Sequence, residues 1–258
     1  MIRHYARADP PAVKAALAGE PDKLALLSTY LEVSDMLYFD LWLTDNLDVI
    51  IFRSYGSFYM KLEPSADLEE VALFLGFMPM LGSVESSSEC MEALAIQLPG
   101  VKSTAQTQTA VLESGEGLKG IELEVTRAAS IGDLRLVYSL LAGENIRGLA
   151  KFDDYCFSRR ALTKSGLGRT LSLVHGGQVF ATASTSAETG EYALIADVVT
   201  NAKYRRQGLA AALVSCLCRE LLAEGKKPLV TYTSAEAGKL YESLGFKPAG
   251  TGTILYFG

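Results

Sequence analysis

Histidine is scarce in this chain, and its scarcity excludes several kinds of catalytic site. Only two histidines occur in 258 residues, His4 and His175. A histidine-rich metal centre is therefore excluded, and a Ser-His-Asp triad would have to use one of these two. His175 precedes Gly176-Gly177, which predicts a hairpin turn, so a surface position is the simpler interpretation. Proton transfer near neutral pH must rely mainly on carboxylate, tyrosine, thiol or water.

The chain also lacks an excess of basic charge and any long apolar run. Its net charge is −6, so a nucleic-acid partner receives no general electrostatic help, and a cationic or amine substrate suits the field better. No apolar run approaches the roughly 20 residues needed to span a bilayer. The first eleven residues contain no apolar signal core. We therefore expect neither a nucleic-acid partner nor a membrane partner.

Cysteines are few and form no recognisable framework. Cys90, Cys156, Cys216 and Cys218 show neither paired disulfide spacing nor zinc-ligand spacing. Cys216 and Cys218 lie two residues apart on a predicted helix, so their side chains point in different directions. We expect buried free thiols, no metal, and a reducing cytoplasm as the location.

A basic turn with one glycine is the most informative feature that is present. The turn contains Arg205, Arg206 and Gly208, and it follows an apolar strand pattern at Tyr192–Thr200. A helical pattern begins directly after it. The first N–H groups of a helix have no intrahelical partner and can donate to phosphate oxygens. A glycine there lets an anion approach the backbone closely. The segment therefore predicts a site for a phosphorylated cofactor.

The second half of the chain has readable secondary-structure patterns. Helical spacing predicts helices at Ser130–Leu141, Asn145–Thr163, from the basic turn to about Glu224, and at Ala235–Leu244. Strands are predicted at Ile121–Arg127, Thr170–His175, Gln178–Ser186, Tyr192–Thr200, Pro228–Thr233 and Ile254–Phe257. The predicted order is β-α-α-β-β-β-α-β-α-β.

The first half is less regular but loosely echoes that order. Helices are predicted at Pro11–Gly19, Asp22–Leu31, from an N-cap at Ser65 to about Phe74, and at Ser88–Leu98. Strands are predicted at Met36–Leu43, Asp48–Leu62, Met80–Glu85 and Thr104–Leu112. The echo suggests a diverged duplication without the basic glycine turn. The polar, glycine-rich stretch at 113–117 is the candidate linker between domains 1–113 and 118–258.

Two stretches of the second half resemble motifs of the GCN5-related N-acetyltransferases, the GNAT superfamily. The segment Arg205-Arg206-Gln207-Gly208-Leu209-Ala210 is similar to the family's Q/R-x-x-G-x-G/A loop. The segment from Ala237 to Phe246 is similar to its A-x-x-L-Y-x-x-x-G-F helix, about thirty residues later and with a strand between. The resemblance covers roughly residues 120–258. It implies an α/β fold of GNAT type: a mixed, mostly antiparallel sheet flanked by helices, in tandem with a diverged N-terminal α/β half.

The resemblance also implies acetyl-CoA as cosubstrate and a set of site residues. The family's loop amides bind the pyrophosphate. Its preceding strand splays from its neighbour and pairs its backbone with the pantetheine arm. Tyr241 matches the tyrosine that protonates the departing thiolate, and Ser234 replaces an asparagine that often contacts the cofactor. The matching cofactor positions are Val198, Val199, Thr200, Arg205, Arg206, Gln207, Gly208, Leu209, Ala210, Ala211 and Ser234.

The general base is left open by the sequence. A glutamate that some family members use falls near Leu194 here, so it is absent. Asp197 is the only acid within the strand core. It could accept the amine proton, directly or through water, or it could orient the substrate. A side chain on the exposed face of the strand explains the presence of this aspartate equally well. Glu188 and Glu191 are expected to be solvated at the end of the hairpin.

These observations lead to one main functional hypothesis and one alternative. The main hypothesis is an N-acyltransferase that moves an acetyl group from acetyl-CoA to a primary amine of a small molecule or protein. The alternative is a non-catalytic acyl-CoA-binding regulatory module. The missing glutamate and Ser234 favour it, and Tyr241 opposes it. We expect the first half to cover the sheet edge or to line the acceptor pocket, and its aromatic residues Tyr38, Phe39 and Trp42 to belong to a packed core rather than a pocket.

Overall fold

The two halves of the chain repeat one order of elements. The computed structural model describes residues 1–5, 10–87, 89–120 and 124–257. The elements of the first half are β1 (Arg3–His4), α1 (Pro10–Ala16), α2 (Pro21–Glu32), β2 (Phe39–Leu43), β3 (Val49–Ser54), β4 (Ser57–Leu62), α3 (Leu68–Gly76), β5 (Ser83–Ser86), α4 (Met91–Gln97) and β6 (Ser103–Val111). Those of the second half are β7 (Thr126–Arg127), α5 (Ile131–Gly143), α6 (Phe152–Lys164), β8 (Thr170–His175), β9 (Gln178–Glu188), β10 (Tyr192–Thr200), α7 (Leu209–Ala223), β11 (Lys227–Tyr232), α8 (Ala235–Ser243) and β12 (Lys247–Tyr256). The predicted order of the second half is confirmed, and the first half repeats it in full.

The strands form one continuous mixed sheet in which the halves exchange their last strands. The strand order is β1-β2-β3-β4-β5-β12-β6-β11-β10-β9-β8-β7. Strand β6 of the first half pairs antiparallel with β11, and strand β12 of the second half pairs antiparallel with β5. The two exchanged strands also pair with each other at the centre. Each half therefore completes the sheet of the other.

This exchange predicts that the second half is poorly stable alone. A fragment of residues 118–258 lacks β6, so the edge of β11 loses its partner beside the fully buried Leu229 and Val230. An unpaired apolar edge promotes aggregation. We expect this fragment to aggregate in size-exclusion chromatography, and a fragment of residues 103–258, which keeps β6, to yield more monomer. Equal yields of monomer from the two fragments would show that β6 is dispensable.

Helix α2 of the first half packs on strands of the second half. Its Leu27 and Tyr30 belong to the same apolar core as Leu194 of β10 and Leu229 of β11. The Thr29 hydroxyl donates a hydrogen bond to the Glu188 carbonyl oxygen at 3.2 Å. The two halves thus share one core as well as one sheet.

Two elements predicted from the sequence were wrong because left-handed residues interrupt them. Asp48–Leu62 is not one strand but the hairpin β3–β4, which turns at Tyr55, where φ is 54°. Asn145–Thr163 is not one helix, because the helix begins only at Phe152; Asn145 and Gly148 adopt φ values of 52° and 73°. Left-handed residues cannot continue a right-handed helix.

Other boundaries also differ from the prediction. Asp67, rather than Ser65, caps α3. The final strand is much longer than Ile254–Phe257, since β12 begins at Lys247 and passes through Gly252, where a Cβ would lie 2.7 Å from the Thr107 Oγ1 atom. Residues 121–123 of the predicted strand Ile121–Arg127, and residue 88 at the start of Ser88–Leu98, lie outside the described residues.

Glu188 was expected to be solvated, and this expectation was wrong. Its side chain is 1% exposed and forms ion pairs with Arg169 and Lys226, each at 2.7 Å. Burial raises the pKa of Glu188, but hydrogen bonds from Arg169, Lys226 and Thr185 outweigh it and hold that pKa below its usual value. Glu191 is 61% exposed and pairs with Lys227 at 3.3 Å. Glu188 therefore joins the end of β9 to the segment after α7.

Within the described ranges, no helix is both long and apolar enough to cross a bilayer.

Candidate functional site: two adjoining cavities

A cleft opens where β10 and β11 stop pairing. The two strands pair in parallel over four residues each, from Tyr192 opposite Lys227 to Ile195 opposite Val230. Strand β10 nevertheless continues to Thr200, and its pairing with β9 shifts register between Ala196 and Val199. Asp197 lies in this irregular stretch at a φ of 51°. The bulge turns β10 away from β11 and leaves backbone groups of β10 facing the gap.

The N-terminus of α7 borders the cleft with free donors. Gly208 is the N-cap residue at φ 77°, and no side chain caps this end of the helix. The first helical bond runs from the Ala212 N–H to the Gly208 carbonyl at 2.9 Å. The preceding N–H groups, of Leu209, Ala210 and Ala211, therefore have no intrahelical acceptor and carry the positive end of the helix dipole.

The cleft has a volume of about 560 Å³ and gathers nearly all of the predicted cofactor positions. Gln207 does not line it. The lining residues are Ile146, Val198, Val199, Thr200, Tyr204, Arg205, Arg206, Gly208, Leu209, Ala210, Ala211, Ser234, Glu236, Ala237, Lys239, Leu240 and Tyr241. The Ser234 hydroxyl accepts from the Ala237 N–H at 3.1 Å, so it caps α8 at the cleft wall. The Thr200 hydroxyl oxygen is buried without a hydrogen-bond partner of normal geometry in the described structure.

The two arginines of the basic turn differ in their surroundings. Arg205 forms an ion pair with Glu144 and donates to the Thr200 carbonyl at 3.0 Å. Arg206 is 85% exposed and lies 3.3 Å from Glu236. The charge of Arg205 is thus partly neutralised, and the cleft is less positive than the sequence suggests.

Tyr241 presents a protonated phenol to the cleft. It is 6% exposed, and its ring packs against Tyr232 and Phe246 at centroid distances of 5.4 and 5.5 Å. Burial, with smaller contributions from Cys218 and Tyr232, raises the pKa of Tyr241 above its ordinary value. The hydroxyl therefore keeps its proton at neutral pH and can donate it.

A second cavity of about 580 Å³ lies where the two halves meet. The first half contributes Tyr30, Tyr55 and Tyr59 to its wall, and the second half contributes Ile146 and Asp197 among others. Ile146 lines both cavities, and Asp197 is the chain neighbour of Val198 in the cleft. The two cavities therefore adjoin at the bulge of β10.

Asp197 enters this second cavity as half of an ion pair. Its Oδ2 atom lies 2.5 Å from the Arg159 guanidinium, which also donates to the Thr185 carbonyl at 2.6 Å. Arg159 is 8% exposed. Burial lowers the pKa of Arg159. The interactions with Asp197 and Tyr155 outweigh this effect, so the pKa of Arg159 lies above its ordinary value. Asp197 is therefore neither a simple exposed strand residue nor an isolated carboxylate.

Three aromatic residues of the first half, Tyr38, Phe39 and Trp42, do not line this cavity. Trp42 is 8% exposed within the core between β2 and α3, and Phe39 packs against the core of α2. Tyr38 is 44% exposed beneath Arg53, so a core position is wrong for it. Tyr55 and Tyr59 belong to the aromatic set that the sequence predicts to face the other half, and they do line the cavity. Tyr30 was missed, because no local spacing marks a residue that faces another domain.

The first half has an acidic helix start at the position equivalent to the α7 N-terminus. After β4, Asp67 caps α3, and its carboxylate accepts from the Glu69 and Glu70 N–H groups at 3.1 Å each. Glu69 and Glu70 themselves lie in the first turn. The Asp67 carboxylate occupies two of the donors there, and the three carboxylates together repel a phosphate.

Comparisons with known proteins agree with this geometry. The model of the GNAT acetyltransferase family matches residues 151–255, which include every lining residue of the cleft except Ile146. This part of the C-terminal half therefore matches the GNAT family. The match supports acyl transfer in general. A search of curated proteins finds no match.

Solved GNAT structures resemble the whole chain. A putative GNAT acetyltransferase of Novosphingobium aromaticivorans is 17% identical, with a TM-score of 0.61 over 90% of this chain and 95% of its own. A GCN5-related N-acetyltransferase of Sphaerobacter thermophilus is 15% identical, with a TM-score of 0.64 over 99% and 94%. A tandem GNAT protein from the clavulanic acid biosynthesis pathway is 12% identical, with a TM-score of 0.61 over 99% and 97%. At these identities the likeness concerns the fold, and it supports the architecture of two GNAT-like halves.

Among the residues with described coordinates, no cluster of His, Cys, Asp or Glu is suited to a metal ion.

Proposed function

We propose that this protein transfers the acetyl group of acetyl-CoA to a primary amine of a small molecule or protein. The observation that carries the proposal is the cleft between β10 and β11, which combines an uncapped helix N-terminus with the buried Tyr241. The first-turn N–H groups of α7 would hold the pyrophosphate, with Arg206 nearby. The buried Thr200 hydroxyl, which lacks a partner of normal geometry, and the backbone of Val198 and Val199 offer polar contacts to an amide-bearing arm.

The chemistry requires little beyond positioning and one proton donor. A bond forms between the amine nitrogen and the acetyl carbon as the carbon–sulfur bond breaks, the amine loses one proton, and the departing sulfur gains one. Tyr241 donates the proton to sulfur. Backbone N–H groups of the β10 bulge near Val198 stabilise the negative charge on the carbonyl oxygen. Thiol pKa values near 8.5 make the thiolate a fair leaving group, so orientation supplies much of the rate.

We further propose that domains 1–113 and 118–258 have different roles in binding. The second domain binds the cofactor, and the first lines the acceptor cavity with Tyr30, Tyr55 and Tyr59. The acidic cap of α3 argues against a second cofactor site in the first domain. Four free cysteines fit a reducing compartment, and we place the enzyme in the cytoplasm.

Asp197 is proposed to receive or orient the acceptor amine. Asparagine tolerates the positive φ of this position but removes the charge. Asp197→Asn should lower kcat/KM by about 10²-fold or more, while the stabilisation by CoA persists, because Asp197 does not line the cleft. Steady-state kinetics measure kcat/KM, and the rise in melting temperature with CoA measures the stabilisation. A loss confined to KM indicates orientation, and a fall in kcat indicates proton acceptance. Unchanged kcat/KM contradicts either role.

The test of the proposed function is a panel of primary amines mixed with acetyl-CoA. We expect amine-dependent release of free thiol and formation of the acetylated amine. Stabilisation by CoA without turnover on any amine would instead support a regulatory acyl-CoA-binding module.

A further inference from the structure

The acceptor cavity carries an unbalanced positive charge. Its charged lining residues, in the described part of the chain, are Arg147, Arg159 and Asp197, so two arginines face one aspartate. Arg159 and Asp197 form an ion pair at 2.5 Å and neutralise each other. Arg147 has no carboxylate partner among the described residues; its guanidinium lies over the Tyr256 ring at 4.1 Å. One positive charge therefore remains in a cavity of a protein whose net charge is −6.

This charge is at odds with a simple amine as acceptor. A protonated amine is cationic and is repelled by the uncompensated guanidinium of Arg147. An amine that also carries an oxyanion group, a carboxylate or a phosphate, complements that charge. Arginine presents several N–H donors in a fork that matches such groups.

The arrangement of the wall separates two tasks. Arg147 belongs to the loop between α5 and α6 and is held on Tyr256 at the end of β12. Asp197 lies on β10, beside the residues that line the cofactor cleft. The stacked ring keeps the guanidinium in place without consuming its hydrogen-bond donors. An acceptor can thus place its amine toward Asp197 and its oxyanion toward Arg147.

A buried hydroxyl supports a polar ligand in the same cavity. Tyr155 lines the wall and is 5% exposed, and its hydroxyl has no hydrogen-bond partner of normal geometry among the described residues. Buried polar atoms are rarely left unsatisfied in native structures. A polar group of a bound acceptor would satisfy it.

We propose that the acceptor is an amine bearing a carboxylate or phosphate, and that Arg147 binds this oxyanion and thereby determines specificity. This inference rests on the proposed acetyl transfer. The positive charge of Arg147 also lowers the pKa of the bound ammonium, which favours the free amine that attacks the thioester.

The experiment compares matched amines in the full chain and in Arg147→Gln. The pairs are phenylalanine with phenylalaninamide, and O-phosphoethanolamine with ethanolamine, so that carboxylate and phosphate are tested separately. Loss of a hydrogen-bonded charge pair should lower kcat/KM for the preferred oxyanion member by about 10-fold to 100-fold, with its neutral partner unchanged. Arg135→Gln is the matched control, because Arg135 is also exposed and lies over an aromatic ring, Phe152, but lines neither cavity.

Several outcomes would overturn the inference. These are a wild-type preference for the neutral members of both pairs, an equal loss for charged and neutral amines in Arg147→Gln, or a weaker stabilisation by CoA in that variant. Absence of thiol release with every amine would instead reject the proposed function. Calorimetric binding of the same pairs then decides this inference separately: oxyanion-dependent binding that Arg147→Gln removes supports it, and binding without that preference rejects it.

Discussion

Tyr241→Phe is expected to lower kcat by about 10²–10⁴-fold, the usual contribution of a general acid. The substitution keeps the ring and its contacts with Tyr232 and Phe246, so the melting temperature should hardly change. It removes only the hydroxyl at the cleft wall. Burial raises the pKa of this hydroxyl above the ordinary tyrosine value. Thiol release from acetyl-CoA, with any amine identified by the panel, measures the effect.

The control for this variant is Tyr232→Phe. The Tyr232 ring packs against the Tyr241 ring with centroids 5.4 Å apart, but Tyr232 does not line the cleft. Its loss of a hydroxyl should leave turnover near that of the wild type. Wild-type kcat in Tyr241→Phe would mean that the hydroxyl is dispensable and that Tyr241 has only a packing role.

Gly208→Glu should abolish the stabilisation that CoA gives the wild-type protein. A ligand at about 100 times its Kd adds roughly 2.7 kcal/mol to the free energy of unfolding. A glutamate at the N-cap of α7 places a carboxylate beside the amides that we assign to the pyrophosphate. A Cβ at Gly208 meets no atom within 4 Å, so the substitution itself causes no clash. The measurement is the CoA-dependent rise in melting temperature.

Gly225→Glu provides a matched control at the other end of the same helix. Gly225 follows α7, has a φ of 78° against 77° at Gly208, and also has open space around its Cβ position. Both variants therefore carry a similar backbone strain, and only Gly208→Glu places its charge in the cleft. If both variants keep the CoA shift, the pyrophosphate does not bind at α7; if both lose it, strain rather than charge is the cause.

The part of the site that the sequence predicts is local along the chain. Strand β10, the basic turn and helix α7 follow one another directly, so periodicity and one glycine are enough to place them. The divergence of β10 from β11 agrees with the splay that the family resemblance implied. The tyrosine on α8 followed from the second motif, and the structure places it at the same cleft.

The part that the sequence does not predict depends on contacts between distant segments. Alternation indicates that β6 is a strand but not that it inserts between β11 and β12. The pairing of Arg159 with Asp197 joins α6 to β10 across 38 positions. The sequence does not mark Arg147 as a cavity residue, because its segment fits a helical pattern. The structure shows a loop there, since Asn145 and Gly148 adopt left-handed conformations.

We propose one cofactor site per chain, formed by the second half, and titration calorimetry of the 258-residue chain with CoA tests this proposal most directly. We predict one CoA bound per chain, because the α7 N-terminus is uncapped whereas Asp67 fills the equivalent position at α3. Two CoA molecules per chain, or none, would contradict a single cofactor site at the N-terminus of α7.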